Sequence, residues 1–514
     1  MKRKHMKLLR FFTSRVVLTS IIILLQIAWL VLLLSQLASH FFGINIAFTV
    51  LSVAMVLYVI RKDDNPAYKI GWILIMLLLP LFGGAMYLLV GNKRPSRRMR
   101  AQLERVYSRS KPVLVQDGDA ARDLETRSPR MHGLSRYISG NARFPVWEHT
   151  ETRYFPSGEE MYAAMLPELE AAKHFIFLEY FIISRGEMWD SVLEILTRKA
   201  AAGVDVRLIY DDMGSYGINR RKFIPEMERR GIKAMAFNPF VPLPYLAMNN
   251  RDHRKILVVD GHTAFTGGIN LADEYINRLE RFGHWKDTGV LLRGEAVWNF
   301  TVMFLEMWNA FRRQDEDYLP YSPYAHHPED FPGNGFVQPF CDSPLDSETV
   351  SENVYLDILS QARRYVYIFT PYLVIDSTLQ SALCLAAKRG VDVRLVTPAI
   401  PDKKIVFRLT RSYYGPLLRE GVRIYEYTPG FIHAKCLVSD DDKAVVGSIN
   451  LDFRSLYLHF ECGALLYGAD SVPQVKQDML DTFAVSREIH LQDTRQSFLG
   501  TLFDAILRVF SPLL

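Results

Sequence analysis

The feature of this sequence that most constrains its fold is an internal duplication. The string Gly-Val-Asp-Val-Arg-Leu occurs at residues 203–208 and again at residues 390–395. Each copy follows an apolar, strand-like run and an alanine-rich helical pattern, and each precedes a further shared piece that leads to a proline. The order strand, helix, strand, helix, strand is typical of α/β folds in which helices cover a largely buried sheet. The sequence therefore predicts two duplicated α/β/α sandwich units that pack with pseudo-twofold symmetry.

Both repeats also carry the same short motif, His-x-Lys-x4-Asp-x6-Gly-[Gly/Ser]-x-Asn. Because side chains alternate along a strand, the histidine and the lysine of each copy project from the same face. A single His-x-Lys pair is usually a surface strand residue beside a solvated lysine. Two copies at identical spacing, in repeats that are expected to converge, predict instead a catalytic site. Its motif residues are His253, Lys255, Asp260 and Asn270 in the first repeat and His433, Lys435, Asp440 and Asn450 in the second.

Two imidazoles and two ammonium groups that meet at one interface suit a tetrahedral anion such as phosphate. One histidine can attack phosphorus, while the other, protonated, gives a proton to the leaving oxygen and later deprotonates the acceptor. Lys255, Lys435, Asn270 and Asn450 are then the predicted groups that stabilise the phosphoryl oxygens. This chemistry calls for no metal or other cofactor, and the sequence has neither a Walker-type loop nor a Cys/His metal spacing.

A long uncharged N-terminal segment precedes the duplication. No Asp, Glu, Lys or Arg occurs from residue 16 to residue 60, whereas one bilayer-spanning helix needs about 20 apolar residues. The run divides most naturally into helices at Val16–Leu37 and Ile44–Ile60. A third uncharged segment, Ile70–Val90, contains Pro80 and could either cross fully or re-enter on one side. The sequence therefore predicts an N-terminal membrane anchor of two to three hydrophobic helices.

The net charge is divided unevenly along the chain. Residues 1–100 hold 14 Lys and Arg against two Asp, so the remaining residues carry a net charge of −7. An acidic main body argues against nucleic acid as a partner. Basic residues around the apolar helices predict a multi-pass protein of the cell membrane with its catalytic domain on the cytoplasmic side. Residues 93–100 are equally basic, however, so three full crossings would break this charge rule at one loop.

Composition divides the chain into six predicted segments. For the last of these, core packing and a membrane-surface helix both remain open. The four cysteines have no disulfide or metal spacing and are expected to be buried thiols. The segments are an anchor at 1–92, a basic and polar linker at 93–140, the first repeat at 141–315, a connection at 316–340, the second repeat at 341–490 and an amphipathic, apolar tail at 491–514.

The two motifs resemble the paired signature of the phospholipase D superfamily over roughly residues 135–490. The resemblance implies a ping-pong reaction through a phosphohistidine at the interface of two α/β units. It also implies that Asp287 and Glu461 orient the histidines and that the motif aspartates, Asp260 and Asp440, are structural. By family analogy alone His253 is the nucleophile and His433 the acid and base, and swapped roles stay open.

The N-terminal part narrows the resemblance to bacterial cardiolipin synthases. Its Asn-Pro-Ala-Tyr-Lys string at residues 65–69 and the following Trp72 look like the membrane module of that family. Downstream, Thr-Pro-Tyr at residues 370–372 and the residues that follow Asn450 point the same way. The family commonly has one span before the Asn-Pro string, whereas this chain has room for two, so its topology is not carried over.

The resemblance implies transphosphatidylation between two phosphatidylglycerol molecules, which yields cardiolipin and glycerol through a phosphatidyl-histidine. Phosphatidylglycerol is then both donor and acceptor, and the lipid bilayer is the partner surface. The alternative is a membrane-bound phospholipase D that uses water as the acceptor and releases phosphatidic acid. A nuclease on the same fold and a non-enzymatic membrane scaffold are disfavoured. Oligomeric state and the choice of other donors or acceptors lie beyond the sequence.

Overall fold

The computed structural model describes residues 28, 29, 32, 42–79, 83–84, 86–88, 91, 96–239, 249–327, 329–345 and 348–513. The chain divides into two compact units. An N-terminal unit comprises residues 1–94, 240–248 and 506–514, and a larger unit comprises residues 95–239 and 249–505.

The N-terminal unit contains two contacting helices, α1 (Phe42–Arg61) and α2 (Pro66–Leu78). Helix α2 begins sharply because the Asn65 side chain accepts a hydrogen bond from the Ala67 amide at 3.0 Å and Pro66 occupies the first turn. The rings of Tyr68, Trp72 and Tyr87 then pack edge to face and are buried. Residues 511–513, at the end of the chain, also contact α2.

The three predicted membrane helices agree with the structure to different extents. Val16–Leu37 lies outside the described residues, apart from three helical positions, and Ile44–Ile60 lies within α1. The segment Ile70–Val90 is not one described helix, because α2 ends at Leu78 and helical residues return only at 83–84 and 86–88. Among the described residues no helix combines the length and the apolar character needed to cross a membrane.

The larger unit is built on two mixed sheets. In the described part of the chain one sheet has the order β1-β8-β6-β5-β2-β3-β4 and the other β19-β13-β12-β10-β15-β16-β18-β9, while β7 pairs with β14 and β11 with β17. The strands are β1 (Thr150–Phe155), β2 (Phe175–Tyr180), β3 (Asp205–Asp211), β4 (Lys233–Phe237), β5 (Lys255–Val259), β6 (Thr263–Gly267), β7 (His284–Lys286), β8 (Gly289–Gly294), β9 (Phe336–Asp342), β10 (Tyr365–Phe369), β11 (Leu373–Val374), β12 (Asp392–Pro398), β13 (Arg423–Tyr427), β14 (Gly430–Ile432), β15 (Cys436–Ser439), β16 (Lys443–Gly447), β17 (Leu451–Asp452), β18 (Glu461–Tyr467) and β19 (Ser486–Ile489).

Helices connect and cover these strands, and the core side chains of both sheets are buried against them. The helices of this part are α3 (Arg97–Ser110), α4 (Gly118–Arg127), α5 (Pro129–Tyr137), α6 (Gly158–Ala171), α7 (Glu187–Ala201), α8 (Arg220–Arg229), α9 (Val297–Arg312), α10 (Pro323–His326), α11 (Val350–Gln361), α12 (Ser377–Lys388), α13 (Lys404–Ser412), α14 (Tyr414–Arg419), α15 (Phe453–Tyr457), α16 (Val472–Ala484) and α17 (Phe498–Phe510).

The two sheets repeat one another strand for strand. β8, β6, β5, β2, β3 and β4 of the first sheet correspond in order to β18, β16, β15, β10, β12 and β13 of the second, and β19 is added beyond β13. The duplicated string opens β3 and β12 in the same way, since Gly203 and Gly390 end the preceding helices with φ of +93° and +88°. The predicted α/β duplication is therefore confirmed.

The segment 93–140 is a correction to the sequence analysis. Instead of a linker it contains α3, α4 and α5. Helix α3 buries Met99, Leu103 and Val106 and packs on α9, because these residues fall on one helical face despite the charged residues between them. The second repeat also begins earlier than predicted, since β9 starts at Phe336 inside the expected connection.

Candidate active site

The two repeats are joined by backbone pairing next to the motif histidines. Strand β14 pairs in parallel with β7 of the first repeat, and the His433 amide donates to the Lys286 carbonyl at 2.7 Å. In the related place, the His253 amide donates to the Phe460 carbonyl at 2.9 Å. The backbone of each motif histidine is therefore hydrogen-bonded to the residue just before Asp287 or Glu461 of the other repeat.

The resulting histidine–carboxylate pairs cross between the repeats. His253 Nδ1 lies 2.9 Å and 3.0 Å from the two carboxylate oxygens of Glu461, and His433 Nδ1 lies 2.7 Å from Asp287 Oδ2. The two carboxylates are fully buried, whereas the imidazole side chains are each 9% exposed. With Nδ1–H donated to a carboxylate, Nε2 of each ring keeps its lone pair for chemistry. These are the contacts that an orienting role needs, and the catalytic roles stay predictions.

The motif lysines lie beside their own histidines, although β5 begins at Lys255 and β15 at Cys436, so both histidines precede the strands. Lys255 Nζ donates to the His253 carbonyl at 2.5 Å, and Lys435 Nζ donates to the His433 carbonyl. Both lysines are buried, so two cationic side chains stand next to the two imidazoles away from bulk water. Such a site favours an anion.

The two motif asparagines differ in how their amides are used. Asn270 Oδ1 accepts from the Ile182 amide at 2.9 Å and its Nδ2 donates to the Tyr275 hydroxyl at 2.7 Å. Asn450 Oδ1 has no hydrogen-bond partner among the described residues, although the residue is buried.

In the described structure the carboxylates of the motif aspartates hydrogen-bond to backbone amides and not to the histidines. The Asp260 carboxylate accepts backbone amides of residues 173–175 at 2.8 Å, ahead of β2. The Asp440 carboxylate accepts those of residues 363–365 ahead of β10. Both aspartates tie the end of a motif strand to the start of its neighbour, which is a structural role.

Sequence reasoning missed the groups that hold the carboxylates. Ser448 and Ser455 both donate to Glu461, the latter at 2.6 Å. In the first repeat the position equivalent to Ser448 is Gly268. A β-carbon at Gly268 would stand 2.0 Å from Asp287 Oδ1. The [Gly/Ser] position of the repeated motif was the available signal, because it sits one residue past the glycine that ends each strand.

The rings around the two histidines also differ, and sequence reasoning missed them as well. Tyr275 and Trp285 each lie with ring centroids 5.4 Å from that of His433. His253 instead neighbours Phe181 at 4.9 Å and His459 at 5.7 Å. Trp285 and His459 both stand two residues before a carboxylate of the site, so a comparison of the two copies could have drawn attention to this asymmetry.

Burial sets the protonation of the histidines. It lowers the pKa of His253 to about 3 and that of His433 to about 4, although the facing carboxylates oppose this shift. Burial also disfavours ionisation of Asp287 and Glu461, but the histidine and lysine beside each carboxylate outweigh it and bring the pKa below the usual range. In the substrate-free site burial therefore favours the neutral form of both imidazoles near pH 7.

Lys255 and Lys435 lose their protons at lower pH than ordinary lysines do. Burial lowers the pKa of Lys255 to about 8 and that of Lys435 to about 7, with Asp287 and Glu461 opposing the change. A bound phosphodiester anion would favour the protonated forms of these groups. Substrate binding and protonation of the site are therefore coupled.

Within the described residues, His253, His459 and Glu461 form the one group whose ligand atoms, all within 4.8 Å of one another, could share a metal ion. Glu461 already accepts hydrogen bonds from His253 and two serines. The group thus belongs to the hydrogen-bond network of the histidine pair.

Two family models match parts of this chain. The family model "Cardiolipin synthase, PLD-like domain" matches residues 165–307 and 355–482, which contain most strands of both sheets. A second model, described as phospholipase D-nuclease N-terminal, matches residues 50–92.

Similar proteins cover nearly the whole chain. An uncharacterized protein of Streptococcus mutans is 43% identical over 90% of this chain and 100% of its own length. A cardiolipin synthase of Geobacillus thermodenitrificans is 36% identical over 90% of this chain and 92% of its own length. The crystal structure of phosphatidylserine synthase from Haemophilus influenzae Rd KW20 shares the fold, with a TM-score of 0.55 and 16% identity over 74% of this chain and 98% of that one. The chain belongs to the cardiolipin synthase family of phospholipase D-like proteins.

Proposed function

We propose that this protein is a cardiolipin synthase that transfers a phosphatidyl group from one phosphatidylglycerol to another and releases glycerol. The crossed histidine–carboxylate pairs carry the proposal, because they supply one imidazole for attack and one for proton transfer at the same interface. The two lysines beside them supply the positive charge that a phosphodiester requires.

In the first half of the reaction Nε2 of His253 attacks phosphorus and the bond between phosphorus and the glycerol headgroup oxygen breaks. His433, protonated when the anionic substrate enters, gives its proton to that oxygen, and free glycerol leaves. The products are a phosphatidyl group on His253 and a neutral His433. The lysines offset the charge that develops on the phosphoryl oxygens.

In the second half a free headgroup hydroxyl of another phosphatidylglycerol attacks the same phosphorus. His433 takes the hydroxyl proton, the bond between phosphorus and His253 breaks, and cardiolipin forms. The resemblance to the phospholipase D superfamily assigns His433 as the proton carrier. His253 is then the nucleophile.

Product analysis tests the proposal. The full-length protein is placed in phosphatidylglycerol bilayers without added metal, and cardiolipin, phosphatidic acid and glycerol are quantified by mass spectrometry. We expect equal amounts of cardiolipin and glycerol, both lost in His253→Ala and unchanged in His132→Ala, a histidine on α5. Phosphatidic acid without cardiolipin would instead identify a membrane-bound phospholipase D with water as the acceptor.

The proposed location is the cell membrane, with residues 1–92 as a multi-pass anchor and the catalytic unit on the cytoplasmic face. The uncharged stretch at residues 16–60 and its basic flanks support this arrangement. Spheroplasts treated with protease from outside should leave residues 96–505 intact. Digestion of that part in intact spheroplasts would place it on the outer face.

A further inference from the structure

Helix α17 turns large apolar side chains toward solvent. Phe498 is 81% exposed, Leu499 74%, Leu502 50% and Phe503 46%. Adjacent apolar side chains exposed to this extent on one short helix are uncommon on a soluble protein surface, where such a stripe normally faces the core.

The charged side of α17 faces the protein instead of solvent. Asp504 is 10% exposed, and its carboxylate accepts a hydrogen bond from Arg408 Nε at 2.6 Å. Arg408 also donates to the Gly500 carbonyl at 3.2 Å, and its guanidinium lies 4.5 Å from the Phe503 ring centre. The helix is therefore fastened to α13 through its carboxylate and a backbone carbonyl, while its apolar residues face outward. This polarity is the reverse of that of an ordinary surface helix.

Basic side chains occur on both segments that flank the apolar residues. Helix α13 begins with exposed Lys404 and with Ile405, which is 59% exposed, and exposed Arg495 precedes α17. A cleft of about 750 Å³ lies between the two helices and is lined in part by Arg411, Arg495 and Leu499. In the described part of the chain neither Lys404 nor Arg495 forms an ion pair, so their charges are available to an anionic surface.

We propose that residues 498–503 of α17, with the first turn of α13 and Arg495, form a docking surface for an anionic phospholipid bilayer. An apolar helical face rimmed by cations is suited to insertion at the level of the lipid headgroups. A protein partner would need a complementary acidic rim around an apolar patch, whereas an anionic bilayer offers both everywhere. The inference rests on the proposed function in one respect, since the substrate lies in that same bilayer.

Local quenching tests the docking surface in the full-length protein. In a Cys384→Ser background the other three cysteines are buried, so a single introduced cysteine can carry a bimane label. Leu499→Cys is the test position and Gln477→Cys, on the exposed face of α16, is the matched control. In vesicles of phosphatidylglycerol and phosphatidylcholine, lipids with a shallow spin label should quench the probe at residue 499 and not at residue 477. Equal quenching at both positions would overturn the proposal.

The alternative occupants give different results. If a second copy covers the helix, the residue 499 probe will respond to protein concentration and not to spin-labelled lipid. If another segment of the same chain covers it, the probe will be shielded in detergent and unresponsive to both. Either result overturns bilayer docking.

Activity provides a second readout. We expect the double variant Leu499→Ser/Leu502→Ser to make cardiolipin in vesicles about tenfold more slowly, because two large side chains no longer enter the bilayer. Turnover of short-chain phosphatidylglycerol dispersed below its micelle concentration should be unchanged, since no surface is then needed. Unchanged rates in vesicles would contradict the proposal. Lipid quenching at residue 499 in a protein that makes no cardiolipin would instead refute the proposed function and leave the docking surface standing.

Discussion

At the scale of single residues, position 268 has to be glycine because Asp287 occupies the space of a side chain. A β-carbon there would stand 2.0 Å from Oδ1 and 2.9 Å from Cγ of Asp287. We expect Gly268→Ala to displace this carboxylate from His433 and to lower kcat by about 100-fold, a typical cost of misplacing a catalytic group by an ångström. The rate of cardiolipin formation measures the effect.

The control for this substitution is Gly133→Ala, because beyond the adjoining backbone of α5 no atom lies within 4 Å of a β-carbon at that position. That variant should keep full activity and equal or greater thermal stability, since alanine favours the helix. If Gly268→Ala were as active as Gly133→Ala, the position of Asp287 would not matter for catalysis.

The pKa values of Lys255 and Lys435 predict how the rate of the enzyme depends on pH. Their pKa values of about 7 and about 8 mean that their positive charge is present below pH 7 and is lost as the pH rises through this range. Because kcat/KM reports the free enzyme, loss of the lysine charges should lower it further between pH 7 and pH 9, beyond the fall that deprotonation of His433, with a pKa of about 4, causes at lower pH. The fall in kcat should come at higher pH, since the bound anion favours the protonated lysines. Coincident profiles for kcat and kcat/KM would contradict this coupling.

At the scale of secondary-structure elements, the duplicated string builds the same ion pair twice in different surroundings. Arg207 on β3 is 2% exposed, pairs with Asp205 at 2.6 Å and stacks on Phe177. Arg394 on β12 is 21% exposed, pairs with Asp392 at 2.6 Å and stacks on Tyr367. The two ion pairs have the same arrangement, but Arg207 is more deeply buried than Arg394.

This difference predicts unequal losses of stability. Arg207→Leu removes a buried guanidinium from the partly buried carboxylates of Asp205 and Glu316 and should lower the free energy of unfolding by about 3 kcal/mol. Arg394→Leu should cost about 1 kcal/mol, because water reaches the Arg394 guanidinium itself. The midpoints of urea unfolding, followed by tryptophan fluorescence, give the comparison. Equal shifts, or a larger one for Arg394→Leu, would show that burial does not decide the cost.

The same elements show what a sequence can and cannot predict. The duplicated sheets follow from repeated strings, because these are local patterns. Strand alternation does not account for the contact of His253 with Lys255, since β5 begins only at Lys255. Helix α3 was misread as a linker because its charged residues outnumber the apolar face of Met99, Leu103 and Val106. The contact of His253 with Glu461 joins residues 208 positions apart, and only the packing of the two repeats determines it.

At the scale of the whole molecule, the crossed pairs make each half of the reaction depend on both repeats. The proposed nucleophile of the first repeat is held by Glu461 of the second, and the proposed proton carrier of the second repeat is held by Asp287 of the first. The duplication is thus not two independent sites. The surroundings are also unequal, because two serines hold Glu461 whereas Asp287 packs against a glycine.

Carboxamide substitutions distinguish the two pairs by the step that each one slows. Glu461→Gln should impair the tautomer and orientation of His253 and slow formation of the covalent intermediate by about 10²- to 10⁴-fold. Asp287→Asn should act through His433, so the intermediate that does form should persist because its proton acceptor is misoriented. Rapid quench with ³²P-labelled phosphatidylglycerol measures the intermediate as acid-labile, base-stable radioactivity on the protein, and peptide mapping should place it on His253.

Glu488→Gln is the control, because this carboxylate pairs with Arg423 at the edge of the second sheet, and the variant should change neither step. If the two effects were exchanged, or the label lay on His433, the roles of the histidines would be reversed while the crossed pairing stood. If Glu461→Gln and Asp287→Asn behaved alike at both steps, neither carboxylate would serve one histidine in particular, and the division of labour between the repeats would have to be abandoned.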